Sequence, residues 1–128
     1  MPLNPYEIRL LSEDELTQDT VQYFRKKYNN RFIRALRAAE EGRVMHYHFR
    51  PSDTTAWIVQ GGKREYLVIP GIYCSCRSFY QSVVIARDFE MCYHMLAQNI
   101  AEVRSLQKDA ETSDSERRRL YDKWRRTD

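Results

Sequence analysis

Glycine and proline are scarce, four of each in 128 residues. With no internal repeat or low-complexity stretch, a linker-rich or repetitive architecture is excluded. Cysteine is scarcer still, and three is an odd number without a framework spacing, which argues against structural disulfides. No apolar run approaches the roughly 18 residues that a membrane span needs. The first residues, MPLNPYEIRLLSEDEL, lack the basic start and long apolar core of a secretory signal. The expectation is therefore a soluble intracellular protein, cytoplasmic or, in a eukaryote, nuclear, with reduced thiols and no membrane partner. A large charge excess is missing too: 21 basic against 18 acidic side chains leave +3, so any nucleic-acid footprint has to be local.

What remains is 42% apolar and 12% aromatic content, enough for the core of one small domain. Ser12-Glu13-Asp14-Glu15 reads as a capping box opening a helix. Leu16, Thr20, Phe24, Tyr28, Phe32 and Leu36 follow at helical spacing until Gly42 stops it. Asn29-Asn30 compete for backbone hydrogen bonds, so two helices meeting there is an alternative to one. From Val44 the period becomes two, Met45, Tyr47 and Phe49 alternating with His46, His48 and Arg50, as in a half-buried strand. TTAWIVQ and REYLVI flank Gly61-Gly62, a two-residue hairpin signal. Beyond Cys92, the residues Leu96, Ile100 and Val103 form the stripe of a helix laid on the sheet, with Ala97 and Ala101 allowing close packing.

The predicted fold is α+β: an N-terminal helix or two, a three-stranded antiparallel sheet, a Cys-x-Cys turn, a C-terminal helix and a charged, helical tail. Residues 1–108 form the domain. The tail, 109–128, balances six acids against six bases, with Ser113 or Ser115 as a candidate cap and too few apolar groups to stand alone.

All three cysteines fall into two paired half-sites, Cys74-Ser-Cys76 after the Pro70-Gly71 turn and Cys92-Tyr-His94 at the start of the last long helix. A turn after a strand can aim two side chains, one residue apart, at a common point. Cys92 is expected just before the helix and His94 in its first turn, where the dipole favours thiolates. Any one of these residues alone reads as an ordinary buried side chain. The four together, three thiols and an imidazole, match a tetrahedral structural zinc set. A catalytic Cys92–His94 pair is disfavoured because no orienting carboxylate or oxyanion loop stands nearby. Redox activity of Cys74 and Cys76 is disfavoured because the two-residue spacer is absent. His46 and His48 share a strand face, but no third ligand is evident, and they read as half-exposed sheet residues.

WIVQGGKREYLVIPGIYCSCRSF followed by MCYHMLA resembles the SWIM-type zinc finger, across about residues 55 to 103. The resemblance implies a β-β-α finger with Cys74, Cys76, Cys92 and His94 as zinc ligands. Tyr93 departs from the pattern, since many relatives carry lysine there. The gap and the SFYQSVV segment look most like the small stand-alone, Shu-complex-type SWIM proteins, which implies work beside RecA-family recombinase paralogues in homologous recombination.

Two basic clusters are candidate binding surfaces. Lys27, Arg31 and Arg34 share a helical face, read either as a phosphate-neutralising stripe or as a solvated side. Arg117 and Arg118, with Tyr121 and Trp124 among the tail's charges, read as anchors for a protein partner or as a stacking platform for unpaired bases. The functional expectation is a non-enzymatic, zinc-bound adaptor for a RecA-like ATPase paralogue in recombination or repair, with DNA a further candidate partner. The alternatives are a stand-alone regulatory DNA-binding module and, third, a thiol enzyme.

Overall fold

Asparagine tolerates positive φ better than most residues, and Asn29, at φ 59°, breaks the N-terminal apolar stripe into two helices. The computed structural model describes residues 3–77, 79–87 and 91–125, so Arg126 and Asp128 of the charged tail lie outside it. The helical layer opens with α1 (Pro5–Leu11), α2 (Gln18–Tyr28) and α3 (Asn30–Glu40). The capping box lies earlier than Ser12: Asn4 and Glu7 exchange the two reciprocal hydrogen bonds. Ser12 instead ends α1, its hydroxyl donating to the Ile8 carbonyl at 2.6 Å. The carbonyls of Leu11, Glu13 and Asp14 accept from Arg104, which holds the loop in place of a helix start.

Gly42, at φ 75°, turns the chain into β1 (Val44–Arg50), followed by β2 (Thr54–Gln60), β3 (Glu65–Ile69) and the two-residue β4 (Tyr73–Cys74). A seven-residue π-helical segment, Phe79–Ile85, leads towards α4 (Tyr93–Arg104), then β5 (Lys108–Ser113) and α5 (Asp114–Trp124). The sheet has five strands, in the order β4-β3-β2-β1-β5, rather than three. The β2–β3 loop spans residues 61–64, because Gln60 pairs with Glu65 and the Gly61 N–H donates to the Arg64 carbonyl at 2.7 Å. It is longer than the glycine pair suggests.

The first five residues of the expected helical tail, 109–113, are strand, and Ser113 is the N-cap of the helix that follows. β5, KDAETS, pairs parallel with β1 and carries exposed charges at the sheet edge. Such polarity hides a strand in sequence while protecting an edge from mispairing.

Both faces of the sheet are covered. Val44, Val59 and Val68 meet Leu96, Ala97 and Ile100 of α4 in the larger core, with Phe24 and Phe32 beyond. The opposite face packs Phe49, Ile58 and Leu67 against Trp124 of α5. α4 lies between the sheet and the N-terminal helices and is buried continuously from His94 to Ala101, rather than along a single stripe. No helix among the described residues is long and apolar enough to cross a membrane.

Candidate metal centre

A two-residue strand is held by its neighbours rather than by its own ladder. The Ile72 N–H donates to the Ile69 carbonyl at 2.9 Å, closing the turn at Pro70-Gly71, and Val68 pairs with Cys74. Ser75 continues the pairing in an unusual way. Its N–H donates to the Leu67 carbonyl at 3.0 Å, while its hydroxyl accepts from the Leu67 N–H at 3.0 Å. The serine is fully buried, and this double bond fixes the turn that brings Cys74 and Cys76 to one side. Cys76 Sγ accepts from the Phe79 N–H at 3.2 Å, so the start of the π-helical segment is tied to the same turn.

The second half-site comes from α4. Cys92 occupies the N-cap in extended conformation and its carbonyl accepts from the Leu96 N–H at 3.1 Å. His94 follows in the first turn. The ligand atoms of Cys74, Cys76, Cys92 and His94 lie within 4.8 Å of one another, and none of the four residues is more than 4% exposed. A tetrahedral zinc with bonds of about 2.0–2.3 Å separates its ligands by about 3.3–3.8 Å, within reach of this arrangement.

The donor chemistry fits an ion as well as the distances do. Both ring nitrogens of His94 are buried without a hydrogen-bond partner. That is costly for an imidazole unless something electrophilic faces it. The thiols are not paired as disulfides. The hydrogen bond from the Cys74 thiol, helped by that from Cys92, drives Cys76 far below the ordinary thiol range. The same contact with Cys76, with Cys92 and burial adding, drives Cys74 far above it. At Cys92 the Cys74 thiol acts downward but is outweighed by Cys76 and burial, and the group is pushed up to about 12. Metal binding would require the three thiols to lose their protons.

Around the cluster, the His94 ring lies between Tyr66 and Tyr93, with centroids 4.3 and 3.9 Å away. Tyr93 receives the Arg34 guanidinium 4.1 Å over its ring. Arg31 donates to the carbonyls of Met91, at 2.7 Å, and Tyr28, at 3.2 Å, bracing the approach to Cys92. Lys27 reaches the fully buried Glu7 at 2.9 Å. The stripe read as either phosphate-neutralising or solvated is therefore engaged within the fold: Lys27, Arg31 and Arg34 each have an intramolecular partner.

The comparisons with known proteins agree with this chemistry. The chain is 29% identical over 103 residues to the zinc finger SWIM domain-containing protein 7 homolog of Dictyostelium discoideum, a match covering 79% of this chain and 66% of that protein. No family model matches the chain, and no solved structure does. A SWIM zinc finger relative and a buried group of three cysteines and a histidine both fit zinc binding.

In the tail, the structure separates the four candidates. Trp124 has no exposed surface and packs beside Tyr47 and Phe49, so it is a core residue and presents no ring to a base or partner. Tyr121 is half-buried between Phe49, Trp124 and the Arg117 guanidinium. Arg117 and Arg118 are exposed and line, with Asp114, Tyr121 and Arg125, a shallow cavity of about 360 Å³.

Sequence reasoning missed three features. Ser75 looks like an arbitrary spacer, and only its pairing to Leu67 reveals its role. Glu7 resembles a surface acid, yet it accepts from Lys27 and from the Tyr28 hydroxyl at 3.3 Å. An apolar groove of about 370 Å³, lined by Tyr73, Phe79, Tyr80 and Val84, abuts the two cysteines of the turn. Tyr80 and Val84 are exposed there, as are Ile72 and Ile85 in the same stretch of chain. The apolar content of SFYQSVVI was the available signal.

Proposed function

We propose that this chain is a non-enzymatic SWIM-type adaptor in which zinc, held by Cys74, Cys76, Cys92 and His94, locks the hairpin end to α4. In this proposal the locked surface engages a RecA-like ATPase paralogue in homologous recombination or repair. The observation that carries the zinc assignment is the buried His94, which brings a ring nitrogen without a hydrogen-bond partner beside three thiols. The resemblance to stand-alone SWIM proteins supplies the biological setting. The groove beside the ion supports a protein partner: exposed apolar side chains concentrated in one short stretch mark interaction sites more often than random surface. The buried cysteines also argue against a thiol nucleophile, since a substrate needs access that residues at most 4% exposed do not give.

The second reading, a nucleic-acid-binding module acting alone, is favoured by one feature, the cavity where Arg117, Arg118 and Arg125 surround Tyr121. One experiment separates the two. Zinc-loaded protein is run in analytical ultracentrifugation with a RecA-family ATPase paralogue from its own genome, and separately with labelled single-stranded DNA over a salt series. The adaptor reading expects a stoichiometric complex with the ATPase that Tyr80→Asp or Val84→Asp abolishes while zinc content is retained. Salt-sensitive DNA binding by the chain alone, with no ATPase complex, overturns it in favour of the module.

A further inference from the structure

Residues two apart on a strand share a face, and so do register partners on a parallel neighbour. His46 and His48 of β1 are such a pair, and Asp109 of β5 is the register partner of His46. The three side chains converge. Asp109 Oδ1 lies 3.3 Å from His48 Nε2 and 3.8 Å from His46 Nδ1. One ligand atom from each residue fits within a 4.8 Å span. For bonds of about 2.0–2.1 Å, tetrahedral zinc places nitrogen and oxygen ligands about 3.3 Å apart, so small side-chain rotations suffice.

Two further features suit a ligand site. The His46 ring stacks on Trp57, with centroids 4.0 Å apart and planes 10° apart, which fixes one ligand in advance. Solvent reaches the cluster, the side chains being 19%, 30% and 67% exposed for His46, His48 and Asp109. This is the reverse of the enclosed cysteine cluster. Three protein ligands with access for water is the pattern of an open site, and imidazole with carboxylate suits borderline divalent cations.

We propose that His46, His48 and Asp109 form a second, solvent-open zinc site that staples the edge strand β5 to β1. β5 leads directly into α5, so the ion also secures the helix whose Trp124 closes the second core. The site shares no residue with the cysteine cluster and does not depend on the function proposed above.

The test starts from protein carrying one zinc per chain and adds zinc in a calorimetric titration. One further equivalent is expected to bind, at least tenfold more weakly in His48→Ala and in Asp109→Asn. On its binding, the amides of residues 108–113 exchange more slowly in wild type and unchanged in the variants. A cobalt-substituted sample, whose thiolate charge-transfer bands report the cysteine site, confirms that each variant remains folded around the first ion. If both variants lose the fold, the imidazole nitrogen resonances of His46 and His48 in wild-type protein decide. Shifts at those rings on addition of the second equivalent support the site; shifts confined to other residues overturn it. No second equivalent at millimolar zinc, or binding unchanged in both variants, also overturns it.

Discussion

Stripping the ion from the cysteine cluster is the sharpest perturbation available. Zinc that binds the folded chain and not the unfolded one stabilises by RT ln(1 + [Zn]/Kd), about 4 kcal/mol when free zinc is 1,000 times Kd. A tight structural site exceeds that ratio readily, so the figure is a lower bound. The apo state also leaves the His94 nitrogen that would face the ion buried without a partner. Each buried unsatisfied group costs about 1–3 kcal/mol. Against a net stability of roughly 5–15 kcal/mol for a domain, the loss is a large fraction. At about 3–5 °C per kcal/mol for a chain of this size, the melting temperature should fall by at least 12–20 °C. The damage is not local, because His94 opens the helix that fills the centre of the larger core. The assay is thermal unfolding by circular dichroism before and after a chelator, with released zinc counted by a chromogenic dye. Release of one zinc per chain with a melting shift under about 3 °C would refute the reasoning.

Cys92→Ser should lower both zinc content and melting temperature; a stable, zinc-replete variant would contradict its place in the ligand set. Ser75→Ala removes the acceptor of the buried Leu67 N–H and should cost about 1–3 kcal/mol in urea unfolding while zinc stoichiometry stays at one, an unchanged midpoint counting against the double bond described. Trp124→Ala, in a tail that reads as loose, should cost about 3–5 kcal/mol because the residue is wholly buried; a cost under about 1 kcal/mol would mean that α5 is not docked in solution. Lys27 is pushed from 10.5 up to about 12, chiefly by its hydrogen bond to Glu7, and Tyr28 from 10.0 up to about 12, chiefly by burial. Between about pH 10 and 12 the folded state thus binds more protons than the unfolded one, so stability is intact below that window and falls as pH rises through it. Glu7→Gln should flatten the fall, as measured by urea midpoints at stepped pH, and identical profiles for the two proteins would refute the assignment.

The cysteine–histidine cluster was legible because its members are local in sequence: two short half-sites, each written within three residues, name the side chains that the fold brings together. The strands carried by β-branched and aromatic runs, β1 to β3, were legible for a similar reason, as was the break at Asn29. β4 and β5 were not. A strand of two residues has no period to detect, and KDAETS owes its place to backbone pairing with β1 rather than to any apolar side chain. The helix α1 was missed, and the start of α2 was placed at Ser12 rather than at its N-cap Thr17, because Ser12, like Asn4, sits three residues before a glutamate. Only the Arg104 contacts to the following carbonyls distinguish the true cap from the false one.

The basic residues teach a related lesson about charge. In sequence, Lys27, Arg31 and Arg34 form a stripe that looks available to phosphate. In the fold, the first is paired with a buried carboxylate, the second donates to backbone carbonyls, and the third sits on an aromatic ring beside His94. Drawing Lys27 to a phosphate would strip Glu7 of its cation while it remains buried, a penalty that an exposed phosphate contact does not recover. Drawing Arg34 away would remove the cation packed on Tyr93 beside His94. Arg117 and Arg118 in the cavity of α5 are exposed, and Arg117 lies over the half-buried Tyr121 ring rather than a fully buried group, so salt-sensitive nucleic-acid binding, if present, should respond to Arg117→Ala and Arg118→Ala while leaving the melting temperature within a few degrees. A loss of that binding on Arg34→Ala alone, with zinc content and stability unchanged, would show that the stripe is a surface after all.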